Sequence, residues 1–120
     1  MNTAFSQYQQ QNILNLTQSE QLIVLYDEAI KHLNLAKFYI SNKDFCRCNE
    51  SFHRAHKINN YLISILNSNY EITESLLQLY LFCRRQITTA NTMKDTKLIE
   101  EVLAVYTDLR DAFQQAQRSM

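Results

Sequence analysis

The sequence predicts an all-α chain: an antiparallel, up-down-up-down four-helix bundle preceded by a mobile N-terminal segment. Three observations predict it. The 120 residues contain no glycine and no proline, which removes the Asn-Gly and Asp-Gly turns of hairpin-rich β folds, along with glycine-rich phosphate loops and dinucleotide-binding turns. Apolar residues recur at alternating steps of three and four through four long segments. Only a few polar residues separate those segments, and connections that short force neighbouring helices antiparallel.

Residues 1–16 are polar apart from Phe5, Tyr8, Ile13, Leu14 and a few others, too sparse in apolar residues for a fifth core helix, and are expected to form a flexible segment. The bundle then occupies residues 17–120. Its first helix is expected over about 17–41, with a seam of Leu22, Tyr26, Ala29, Leu33, Ala36 and Ile40 and a capping box of Thr17 with Glu20. The second, about 44–67, follows Asp44 as N-cap and carries Phe45, Cys48, Phe52, Ala55, Leu62 and Leu66, interrupted by polar Asn59. The third, about 70–91, opens on a second capping box, Ser68 with Glu71, and carries Ile72, Leu76, Leu79, Cys83, Ile87 and Ala90. The fourth, about 95–117, starts at Asp95 and carries Leu98, Val102, Val105, Leu109, Ala112 and Ala116. With glycine missing, Asn42, Asn67 and Asn91 are the residues expected to take the left-handed conformation at the helix C-termini.

Composition excludes several function classes. Lys plus Arg equals Asp plus Glu at twelve each, so no global basic field exists to hold nucleic acid or anionic lipid. Residues 43–57 are locally basic and 95–111 locally acidic, and the helices bearing them would attract weakly if adjacent. No segment is long and apolar enough to span a bilayer and no secretory leader is recognisable, so a cytoplasmic location is expected without membrane insertion. Cys46, Cys48 and Cys83 fit neither a disulfide framework nor a zinc ribbon. Cys83 on the core seam reads as an inert buried thiol.

Enzyme-like patterns are incomplete. Glu50 and His53 have the Glu-x-x-His spacing of di-iron bundles, but such a site needs a second copy and two further inward glutamates. Cys46, Glu50 and His53 share a face and read as solvated surface instead of a metal site. His53 with Lys57 four residues on resembles a histidine phosphotransfer bundle, a second reading, yet Ile58 stands where that family has a small residue. No catalytic residue, metal or cofactor is expected.

Two features point to binding. The seam of the second helix is extended by Ile58, Tyr61 and Ile65, and that of the fourth by Ile99, Leu103, Tyr106 and Phe113. The apolar arcs then reach about 180–200°, against the roughly 100° that a bundle core requires. Ile58, Tyr61, Ile65, Ile99, Leu103 and Tyr106 are accordingly the expected lining of a groove for another helix; a wide core, or a self-associating chain that buries the surplus in a homodimer, are the other readings. Phe5 and Tyr8 are three apart, so one helical turn would present both rings to a partner.

The run from Thr17 to Ile30, Thr-Gln-Ser-Glu-Gln-Leu-Ile-Val-Leu-Tyr-Asp-Glu-Ala-Ile, resembles the start of the flagellar secretion chaperone family FliS, with its Thr-led cap and Leu-Tyr-Asp signature. The likeness continues through Ala55-His-Lys-Ile58, Leu79-Tyr80, Ala90-Asn91 with Lys94-Asp95, Glu101-Val102 and Leu109-Arg-Asp-Ala-Phe113. It departs where the family often has proline in the first cap and glycine after Tyr-Asp, here Glu28. The resemblance implies a non-enzymatic four-helix chaperone of the bacterial cytosol. Such a chaperone binds the disordered C-terminal segment of flagellin, prevents premature polymerisation and delivers the subunit to the flagellar type III export gate. It further implies docking on the export-gate protein FlhA through Phe5 and Tyr8, and the anti-sigma factor FlgM as an additional partner.

Overall fold

The four periodic segments are four helices in the computed structural model, which describes residues 16–67 and 71–119. Helix α1 spans Leu16–Ser41, α2 Phe45–Ser64, α3 Glu71–Met93 and α4 Thr96–Arg118. Helix α1 packs on α2 and α4, and α3 packs on the same two. The helices therefore stand in chain order around a square, α1 diagonal to α3 and α2 to α4, within an envelope of 46 × 25 × 19 Å. That is the up-down-up-down bundle expected of short connections.

Boundaries shift by one to three residues. Helix α1 begins at Leu16, which places Thr17 inside the first turn and not at the cap. Helix α2 ends at Ser64, while α3 runs to Met93. Ser68 lies outside the described residues. Asp44 and Asp95 cap as expected, accepting from the backbone N–H of Arg47 and Lys97.

The left-handed residues are not the asparagines. Lys43 and Lys94 take positive φ, 56° and 51°, and the aspartates that follow donate their N–H back to Tyr39 O and Ala90 O at 2.9 and 3.1 Å. Both turns at this end are thus Schellman closures in which a lysine stands where glycine is usual, immediately followed by the next N-cap. Asn42 instead caps the Phe38 carbonyl with its side chain. Asn91 remains helical and receives the Lys94 ammonium, which also reaches Asn49 across the turn.

The core follows the predicted seams with one shift. Tyr26, Leu33, Phe52, Leu62, Ile87, Val102 and Leu109 are all fully buried. On α4 the buried arc rotates toward Ile99, Leu103, Tyr106 and Phe113, leaving Leu98 and Val105 at its edge. The helix must meet α1 and α3 together, so its core face is as wide as the whole apolar arc. Phe45, at the first position of α2, is exposed, because no turn precedes it to complete its surroundings.

The polar interruption at Asn59 is a buried layer crossing both diagonals. Its amide donates to Tyr80 O at 2.9 Å and its carbonyl accepts from Tyr106 OH at 2.6 Å. The Tyr26 and Tyr80 hydroxyls meet at 2.5 Å. One residue from each helix is therefore bound at this level, and no buried side-chain nitrogen or oxygen among the described residues lacks a partner. Tyr26 also packs against the rings of Tyr106 and Phe113, with centroids 6.1 and 5.7 Å away.

Candidate functional site

The two ends of the bundle differ. At the end away from the Lys-Asp turns, α1 and α3 begin and α2 and α4 finish, and the helices enclose a cleft of about 350 Å³. Leu22 of α1, Leu62 of α2, Leu76 and Tyr80 of α3 and Phe113 of α4 line it, together with Ile65 and Leu66 just beyond α2. Gln18, Gln21 and Asn67 give it a polar rim. Its volume is at the lower end of the range of binding pockets, about 300–1,000 Å³. Chemically it offers apolar walls and a few amides at the mouth. It can receive large apolar side chains, and none of its described lining residues is a cysteine, a histidine or a carboxylate.

The expected groove residues divide. Ile65 lines the cleft and is 42% exposed, and Tyr61, 44% exposed, receives the Gln21 side-chain amide at 3.5 Å. Ile58 is half-buried against the core. Ile99, Leu103 and Tyr106 are 0%, 8% and 0% exposed, so the expectation that they line an outer groove is corrected: they are core. Summing apolar residues around a helix measures how wide its apolar face is. It does not tell whether neighbours cover that face, and α4 is covered by α1 and α3. The basic and acidic stretches lie on α2 and α4, which are diagonal and so do not meet the condition for attracting. Helix α4 pairs with α1 instead, through Lys37 with Glu100 at 2.5 Å and Arg110 with Asp27 at 3.2 Å. Phe5 and Tyr8 lie outside the described residues.

Leu22, Leu66 and Leu76 escaped the sequence reading as site residues because they belong to seams like any other core position, and Phe113 is read there only as part of the extended arc of α4. The available signal was their place near helix ends at one pole of the bundle. In the Tyr26-Asp27 signature, Tyr26 enters the polar layer and Asp27 binds Arg110. That hydrogen bond is the largest influence raising the Arg110 pKa.

The reactive groups sit away from the cleft or deep in the core. Cys46 is exposed, while Cys48 and Cys83 are buried. Burial pushes the Cys83 thiol up to about 12, outweighing its hydrogen bond with Tyr106, and burial likewise raises Cys48. Tyr106 is raised well above its ordinary value by burial and then by its neighbours Cys83 and Tyr80. Glu50 is engaged by Arg54 at 3.1 Å and His53 is exposed. His56, between α2 and α3, is held below its ordinary value by burial, then by Arg84 and His53. No described helix is long and apolar enough to cross a membrane.

Comparison with known proteins follows the same outline. The model of a family described as flagellar protein FliS matches residues 1–120. The flagellar secretion chaperone FliS of Bacillus subtilis (strain 168) is 35% identical over 115 residues, covering 96% of this chain and 86% of that one. A solved structure described as a flagellar chaperone from bacteria superposes with a TM-score of 0.81 over 98% of both chains at 22% identity, a likeness of fold.

Proposed function

The chain belongs to the FliS family of flagellar proteins, and on that premise we propose that it is an export chaperone for flagellin. It holds the C-terminal segment of flagellin, keeps the subunit from polymerising early and presents it to the type III export gate. The observation that carries this reading is the family match across the whole chain. The open-end cleft supports it: a segment that orders on binding must bury apolar surface to offset its lost conformational entropy, and Ile65, Tyr61 and the cleft walls offer such surface where the core leaves it uncovered. In this reading the chaperone acts in the cytoplasm by binding alone, with no catalytic step. Phe5 and Tyr8 are the proposed contacts to FlhA, and FlgM is a further proposed partner.

Co-purification with intact flagellin and with flagellin lacking its C-terminal segment tests the proposal. Intact flagellin is retained and the truncated form is lost; equal retention of both would overturn it. Ile65→Asp places a charge in the cleft and should weaken retention of intact flagellin about tenfold or more, since a carboxylate cannot be desolvated there without a partner. Unchanged retention would move the binding surface away from the cleft.

A further inference from the structure

Tyr26 is not among the described residues that line the cleft, yet it touches two of those that do. Its hydroxyl meets that of Tyr80 at 2.5 Å, and its ring centroid lies 5.7 Å from that of Phe113, tilted by 52°. Tyr80 on α3 and Phe113 on α4 are 1% and 2% exposed, so they form the deep end of the cleft and not its mouth. Tyr26 stands behind them on α1, wholly buried, one turn from Leu22, which lines the cleft from the same helix.

Tyr80 is held at both ends. Asn59 of α2 donates to its backbone carbonyl at 2.9 Å, and the Tyr26 hydroxyl meets the tip of its side chain. With backbone and tip both fixed, the first side-chain torsion of Tyr80 has one setting, and the ring cannot swing toward the cleft or away from it. Stability alone does not call for such a pair. Replacing both members of a buried hydrogen bond by apolar groups of the same shape is often nearly neutral, whereas a satisfied buried pair fixes one arrangement of the core.

We propose that Tyr26 is a positioning residue for the cleft: through Tyr80 its hydroxyl sets the depth of the cleft, and hence the size of the apolar side chain that the cleft accepts. The proposal rests on the reading of the cleft as the site for the C-terminal segment of flagellin. None of the described lining residues is charged, so at that depth shape selects. A pocket with a fixed wall discriminates one methylene by about tenfold or more. Where the wall can follow a shortened side chain inward, part of the cavity cost disappears and discrimination fades.

The test is calorimetric titration of the full chain with the flagellin C-terminal segment, and with versions of it in which each aliphatic residue is shortened to alanine in turn. In the native chain one position, the anchor, should lose about tenfold or more in affinity. Tyr26→Phe keeps the ring against Phe113 and Tyr106 and removes the hydroxyl. It should reduce the loss at the anchor several-fold and leave the losses at other positions as they are. A merely structural role would lower the folded fraction, which weakens every version by one factor and preserves their ratios. Tyr80→Phe removes the other hydroxyl of the pair and should have the same effect, so it carries the test if Tyr26→Phe does not fold. The two together should do no more than either alone. Unchanged discrimination in the single variants, a loss spread evenly over all positions, or additive effects in the double variant overturns the positioning role and leaves the flagellin reading standing. Absence of binding to the native chain overturns the flagellin reading, and binding indifferent to Ile65→Asp overturns the cleft as its site; either result removes the positioning role with it.

Discussion

The end of the bundle that holds the Lys43-Asp44 and Lys94-Asp95 turns is closed by backbone hydrogen bonds, and the opposite end carries the apolar cleft. At the closed end each helix finishes in a Schellman closure and the next begins on an aspartate cap, so the backbone groups at both turns are engaged within a few residues. At the opposite end Leu22, Leu62, Leu66, Leu76 and Phe113, among the described residues, line the cleft of about 350 Å³. Between the two ends the Asn59 layer holds all four helices at fixed depth.

The largest effect should come from breaking that middle layer. Asn59→Ala leaves the buried Tyr106 hydroxyl without its acceptor and opens a small cavity, for a loss of about 2–4 kcal/mol in urea unfolding. A loss under about 0.5 kcal/mol would mean that the layer does not separate the two ends. Ile65→Asp at the cleft end should by contrast change stability by no more than about 0.5 kcal/mol, because its side chain is substantially exposed. A large destabilisation there would show the cleft to be core in the same sense as Asn59. At the closed end Lys43→Gly relieves the left-handed strain of a residue with a Cβ and should stabilise the chain by about 0.5–1 kcal/mol, with flagellin retention unchanged. A loss of stability would show that the Lys43 turn is not strained.

The comparison also shows what one-dimensional reading can reach. Helix number, order and most seam residues follow from spacing, because a 3.6-residue period converts directly into a face. The asparagines were expected at the left-handed positions from propensity, yet Lys43 and Lys94 take them. Closure there is set by where the next aspartate can cap, and a lysine aliphatic stem costs no more than another side chain with a Cβ. Arc width ignores neighbours, so it assigns Ile99, Leu103 and Tyr106 to a surplus face although they are buried. The cleft was invisible for a related reason: it depends on how far four seams extend along the axis at one end, a length that no single helix encodes. Asn59 was legible as an interruption but not as a junction, since its partners Tyr80 and Tyr106 lie 21 and 47 residues away.

The smallest effect separates the interior from the outer faces by pH. In the Asn59 layer burial raises both the Cys83 thiol, to about 12, and the Tyr106 hydroxyl, so neither of these loses a proton as pH falls from 7.5 to 5.5. On the outer faces two half-buried histidines, His32 and His56, are held below the ordinary imidazole value. His32 is lowered first by burial, with Lys31 and Arg54 adding to that and Glu28 opposing it, and His56 is lowered by burial, Arg84 and His53. A folded-state pKa below the unfolded value of about 6.5 means that the unfolded chain binds protons first as pH falls. The stability that these histidines contribute is therefore complete above about pH 6.5 and declines as pH drops through their lowered values. Both side chains retain contact with solvent, which screens the effect and keeps it well below that of Asn59→Ala. Urea midpoints at pH 7.5 and 5.5 should fall slightly in the native chain and less in His32→Gln with His56→Gln. An equal fall in both would assign the pH dependence to groups elsewhere, and an accompanying loss of tyrosine burial at pH 5.5 would show that the middle layer is not insulated from the outer faces.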